Sequence, residues 1–132
     1  MSHVVTIRTQ VRDPIALAAA CRRLGLAAPT QRTVQLYSAT ADGWAVELPG
    51  WRYPLVCDTA AGEVRYDHFQ GRWGEPAQLG RFLQAYAVEK ARLEARRRGC
   101  SVTETAAADG AIRLTIRLAQ GPAEGPAEGA GP

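Results

Sequence analysis

The chain has 132 residues and a formal net charge of +3, a length typical of one domain. Hydrophobic residues make up 46% of it and charged residues 22%, a balance that excludes a fully disordered chain. No apolar run reaches the ~18 residues that a transmembrane helix needs, and no basic segment followed by an apolar one opens the chain. We therefore expect a globular, cytoplasmic protein without a membrane partner.

The charged residues and the cysteines exclude several classes of site. Lys90 is the single lysine among sixteen basic residues, an arginine bias typical of a GC-rich genome. Cys21, Cys57 and Cys100 are far apart and form no C-x-x-C pair, so neither a zinc site nor a disulfide framework is predicted. We expect three small buried hydrophobic residues, and no metal or cofactor.

The first predicted unit is a strand followed by a helix. Apolar and polar residues alternate over residues 3–11, as in a half-buried strand. Asp13 and Pro14 then form an N-cap and a first helical residue. Apolar residues follow at helical spacing, and Gly25 is placed to end the helix.

The middle of the chain is predicted to be an antiparallel meander. Strands at 33–39 and 44–48 flank residues 40–43, where an Asp-Gly pair predicts a hairpin turn. Strands at 53–57 and 63–66 flank a second glycine-containing turn.

Residues 67–74 are irregular and rich in aromatic residues, and the longest helix is predicted after them, over 76–98. Gly99 ends that helix. A final hairpin pairs residues 100–106 with 111–118 around an Asp-Gly turn.

The tail, residues 119–132, repeats Gly-Pro-Ala-Glu and has no large apolar residue, so we expect it to be disordered. The predicted domain covers residues 1–118. Its order is strand, helix, meander, long helix, hairpin. Clustered strands with few helices predict an α+β fold, a mostly antiparallel sheet with two amphipathic helices on one face.

Three segments carry a resemblance to a known family: the opening MSH with TIRTQVRD, the helical RFLQAYA, and the closing GCSV with DGAIRL. In order and spacing they resemble the hypothetical chloroplast reading frame 35 family, an uncharacterised bacterial, cyanobacterial and plastid domain. Relatives tend to read Tyr-Ala-Tyr-His where this chain has Tyr86-Ala87-Val88-Glu89, so the family's histidine is missing. Genes of this family often lie near an AAA-type ATPase. The resemblance therefore implies an accessory or adaptor module that binds a protein partner, with an AAA-type ATPase as the candidate.

Aromatic residues of the meander and of loop 67–74 are the predicted partner-binding surface, because exposed aromatic residues mark interaction sites. The predicted contact residues are Trp51, Tyr53, His68, Phe69 and Trp73.

Two alternatives belong to other classes of function. In the first, Cys57 and His68 form the nucleophile and base of a small enzyme, with Asp58 or Asp67 orienting the imidazole. The simpler explanation is that Cys57 is a buried thiol and that His68 lies in a surface loop. In the second, an arginine-rich helix end binds nucleic acid weakly. Favourable charge at a helix C-terminus explains the same residues, which are Arg92, Arg96, Arg97 and Arg98.

Overall fold

The computed structural model describes residues 4–67 and 74–118. These contain two helices and seven strands, and the strands pair antiparallel, as the α+β prediction requires. In chain order the elements are β1 (Val4–Arg8), α1 (Pro14–Arg23), β2 (Thr30–Gln35), β3 (Thr40–Val46), β4 (Leu55–Asp58), β5 (Glu63–Asp67), α2 (Pro76–Arg97), β6 (Cys100–Ala106) and β7 (Ile112–Leu118).

The chain divides into two compact units, with the boundary inside α2 between Lys90 and Ala91. The first unit contains β1–β5, α1 and most of α2; the second contains the end of α2 and the β6–β7 hairpin. The single domain over residues 1–118 stays a prediction, and the tail at 119–132 lies outside the described residues.

Helix α1 begins and ends at the predicted signals. The Asp13 carboxylate accepts hydrogen bonds from the backbone N–H groups of Ile15 (2.9 Å) and Ala16 (3.4 Å), which satisfies two N–H groups that have no partner within the helix. Gly25 follows the helix with a φ of 72°, a left-handed conformation that favours glycine. The buried side of the helix consists of Ala16, Leu17, Ala20 and Cys21.

The five strands of the first unit form one antiparallel sheet in the order β1-β5-β4-β3-β2. Strands β2 to β5 are sequential neighbours, so the predicted meander is present, and β1 adds to the sheet beside β5. On one face the buried residues of β4 and β5 are Leu55, Cys57, Val64 and Tyr66.

The Tyr86 hydroxyl joins α2 to the segment before α1. It accepts hydrogen bonds from the N–H groups of Arg12 (3.1 Å) and Asp13 (3.0 Å), and it lies 3.3 Å from the carbonyl oxygen of Gln10, to which it donates. Lys90 adds an ion pair to Asp13 at 3.1 Å. Burial raises the pKa of Asp13, but Lys90 and the capped N–H groups outweigh this effect, so the pKa lies below its usual value.

The opposite face of the sheet has a small apolar cluster of its own, made of Val34, Leu36, Ala41, Ala45 and Val56, with Tyr53 packed against it. Its position follows from the register, because Val34 pairs with Ala41 and Ala45 pairs with Val56, which places their side chains on one face. Both faces of the sheet therefore contribute to the core.

The predicted turn at residues 40–43 is wrong. Asp42 and Gly43 lie inside β3, and the chain turns at 36–39, where the Leu36 N–H donates to the Ala39 carbonyl (2.8 Å). Gly43 allows β3 and β4 to approach closely, since a Cβ at this position would lie 2.6 Å from the Cys57 carbonyl oxygen. An Asp-Gly pair favours a hairpin turn because glycine adopts the backbone conformation that the turn needs. Here the glycine has a different role, because it lies inside a strand where the β4 backbone approaches closely.

Replacing Gly43 with alanine is expected to lower the free energy of unfolding by about 1–3 kcal/mol, because the added methyl must displace the β4 backbone. Gly80→Ala is the matched control: nothing lies within 4 Å of a Cβ there, and alanine in a helix should stabilise by about 0.5–1 kcal/mol. Urea denaturation of both variants measures the two effects. A Gly43→Ala protein as stable as the parent would contradict the close approach.

Candidate functional site

Trp51 takes part in the packing between the meander and the start of α2. Its indole N–H donates to the Glu75 carbonyl at 3.0 Å. Its ring meets Tyr66 edge-on, with centroids 5.7 Å apart and planes at 63°. A Cβ at Gly74 would come within 2.3 Å of the Trp51 ring. The half-buried Trp51 side chain thus joins the meander to the residues before α2, and its structural role is clear.

Tyr53 is also half-buried, against the apolar cluster on the second sheet face. The Arg52 guanidinium lies 5.8 Å from its ring centroid, within the range of a cation–π contact. The other three predicted contact residues, His68, Phe69 and Trp73, lie outside the described residues. Both described members of the predicted surface therefore contribute to packing.

Asp67 is the only buried charged residue among those the structure describes, with 1% of its surface exposed. Its Oδ2 accepts a hydrogen bond from the Tyr37 backbone N–H at 3.0 Å. Its Oδ1 is buried without a hydrogen-bond partner in the described part of the chain. The carboxylate at the end of β5 thereby holds the turn between β2 and β3.

Tyr37, on that turn, has 57% of its surface exposed. Sequence reasoning missed it as a candidate because it placed residues 33–39 in one strand. The available signal was Ser38, a residue type that favours turns. The structure therefore presents an aromatic side chain from a turn whose backbone is held by a buried carboxylate.

Cys57 lacks the exposure expected of a catalytic nucleophile. It is fully buried, and burial, with a smaller contribution from Cys21, raises its pKa to about 12. The reactive form of cysteine is the thiolate, which is disfavoured here at neutral pH. The proposed base, His68, lies outside the described residues. These observations weigh against Cys57 as a nucleophile.

The arginine-rich end of α2 is partly neutralised by carboxylates of its own unit. Arg92 pairs with Glu104 at 2.9 Å, and Arg97 pairs with Glu94 at 3.2 Å. Arg96 and Arg98 are exposed beside the helix C-terminus, where positive charge is favourable. Half of the predicted nucleic-acid residues thus have acidic partners.

Within 4–67 and 74–118, no group of three or more histidine, cysteine, aspartate or glutamate residues is placed to hold a metal ion. Over the same ranges, no helix combines the length and apolar character that crossing a membrane demands.

Comparisons with protein-family models, with curated proteins and with solved structures found no match to this chain. The resemblance to the chloroplast reading frame 35 family stays a prediction.

Burial of Cys57 leads to a prediction about thiol reactivity. Native protein treated with iodoacetamide at pH 9 should be alkylated first at Cys100, which is partly exposed. Cys57 should remain unlabelled until denaturant is added, because burial excludes the reagent and holds the pKa near 12. Peptide mass spectrometry after a time course gives the order of labelling. Native Cys57 reacting as fast as Cys100 would restore the enzyme hypothesis.

Proposed function

We propose that the chain is an accessory module that binds a protein partner through its meander, with Tyr37 as the principal contact residue. The observation that supports this is the hydrogen bond from the Tyr37 N–H to the buried Asp67 carboxylate. This proposal differs from the sequence-based hypothesis in its contact residue, because Trp51 and Tyr53 take part in packing.

The energetic cost of Asp67 supports a role beyond folding. Burying a carboxylate costs several kcal/mol unless its oxygens are well paired, and Asp67 has one unpartnered oxygen in the described part of the chain. One backbone N–H bond to a charged acceptor returns about 1.5–3 kcal/mol. A buried charge retained at this cost, beside an exposed aromatic residue, is the pattern expected where a turn must keep one conformation for a partner.

Tyr37 suits the role of a contact residue. Tyrosine is enriched among the residues that dominate binding energy at protein interfaces, because it offers a large surface with few rotatable bonds. Ordering a mobile turn on binding costs free energy. Because Asp67 already holds the turn, binding a partner should require little further ordering of its backbone.

The partner class follows from the family resemblance. An AAA-type ATPase, in the cytoplasm, is the first partner to test. The two alternative functions receive less support, because Cys57 is buried with a raised pKa and because Arg92 and Arg97 already pair with glutamates.

Tyr37→Ala should reduce capture of the partner by about tenfold or more, the effect expected for a dominant interface residue. The experiment compares tagged full-length chain with purified AAA-type ATPase from the same cell, and with whole lysate quantified by mass spectrometry. Ile15→Ala is the matched control, because Ile15 is equally exposed, at 59% against 57% for Tyr37, and lies on α1. Equal capture by the two variants would contradict the proposed surface.

A further inference from the structure

A cavity of about 230 Å³ opens on the meander, away from Tyr37 and Asp67. Its wall includes a row across three strands, since Trp44 of β3 pairs with Gln31 of β2 and with Cys57 of β4. The β4–β5 turn closes one side. The full lining is Gln31, Asp42, Gly43, Trp44, Cys57, Asp58, Thr59 and Ala60.

The absence of a side chain at Gly43 helps form this cavity. A Cβ there would lie 2.6 Å from the Cys57 carbonyl oxygen and 3.1 Å from the Val56 side chain, so any larger residue would push β3 and β4 apart. The aromatic wall and the turn are therefore held at a separation that depends on glycine at this position.

Two carboxylates give the cavity a negative charge on a chain whose net charge is +3. Asp42 accepts a hydrogen bond from the Thr33 hydroxyl, and Asp58 Oδ1 accepts one from the Ala61 N–H at 3.2 Å. Each bond uses one acceptor position, and a carboxylate has about four. Cys57 adds no charge of its own, because burial raises the pKa of its thiol to about 12 and the thiol is protonated at neutral pH.

The chain supplies no cation to either carboxylate within its described part. The Arg12 guanidinium reaches this turn: its Nη1 donates to the Ala60 carbonyl at 3.0 Å, and its Nε donates to the Gln10 side chain at 3.2 Å. Arg12 therefore bonds to neutral oxygens and leaves both carboxylates available.

We propose that this cavity binds a guanidinium group, with Trp44 against its flat face and Asp42 and Asp58 as hydrogen-bond acceptors. A guanidinium is planar, carries five donors and stacks on aromatic rings, whereas an ammonium is a compact charge without a flat face. A lining of one aromatic residue and two separate carboxylates fits a guanidinium better than an ammonium. The group is the end of an arginine side chain on another polypeptide or of a free small molecule.

The test is a titration of ¹⁵N-labelled full-length protein, followed by the Trp44 indole signal and the Thr59 and Ala60 amides. The probes are methylguanidinium, methylammonium, and a capped Gly-Gly-Arg-Gly-Gly peptide with its citrulline counterpart. We expect saturable shifts with guanidinium probes at about millimolar concentration, equivalent to roughly 4 kcal/mol. Citrulline, which has the same shape without the charge, should bind at least tenfold more weakly.

Isosteric variants locate the site. Asp42→Asn and Asp58→Asn each keep an oxygen for their existing hydrogen bonds and remove one charge, so each should weaken the guanidinium probe about fivefold. Asp109→Asn is the matched control, because Asp109 caps a turn in the same way, accepting the Ala111 N–H at 2.9 Å, and lies outside the cavity. A control variant that weakens binding as much as the other two would overturn the site.

The wild-type arms remain decisive if a variant fails to fold. Equal binding of citrulline and arginine peptides, equal binding of methylammonium and methylguanidinium, or no saturable shift at any probe concentration would each overturn the proposal. Tighter binding of the arginine peptide than of methylguanidinium would identify a polypeptide source, and equal binding would identify a small molecule. Tyr37 lies outside this cavity, so the guanidinium titration and the Tyr37→Ala capture experiment can succeed or fail independently.

Discussion

The hydrogen bond from the Tyr37 N–H to the Asp67 carboxylate connects two strands that are not neighbours in the sheet. Asp67 ends β5, while Tyr37 follows β2, and β4 and β3 lie between them in the strand order. Leu36, the residue before Tyr37, belongs to the apolar cluster on the second sheet face. The turn that Asp67 holds therefore also contributes a side chain to that cluster.

Hydrogen bonding and apolar packing both stabilise the first unit. Tyr86 fixes α2 through hydrogen bonds to three backbone groups of residues 10–13. On the second sheet face the apolar cluster is small, and its position follows from the strand register. Both proposed binding sites lie on the meander, where Tyr37 is exposed and the cavity beside Trp44 opens to solvent. Exposed positions of this kind are expected for residues that contact other molecules.

Local signals explain which parts of the fold were predictable. The Asp13-Pro14 cap, the glycines that end both helices and the alternation in β7 act within a few residues, and each element appears near its predicted bounds. Gly43 was misplaced in a turn, and the packing contacts of Trp51 were not foreseen, for the same reason. The contacts that decide their roles come from Cys57 in one case and from Gly74 and Glu75 in the other, and neighbouring residues carry no signal of them.

The candidate sites were harder to predict because they form where distant segments meet. Asp67 was considered as an orienting group for a catalytic histidine, and its burial and its bond to Tyr37 follow from tertiary structure alone. Trp44, Asp42 and Asp58 are unremarkable in sequence, since each has an ordinary explanation in a strand or turn. They line one cavity where β3 lies beside the end of β4.

Amide hydrogen exchange at Tyr37, in the parent chain and in Asp67→Ala and Asp67→Asn, measures directly whether the buried carboxylate holds the turn. In Asp67→Ala we expect the Tyr37 amide to exchange at least about tenfold faster, while the amides paired between β4 and β5 keep their protection. Asp67→Asn, which retains an acceptor oxygen, should preserve much of the Tyr37 protection. Unchanged exchange of the Tyr37 amide in Asp67→Ala would show that the buried carboxylate does not hold the turn.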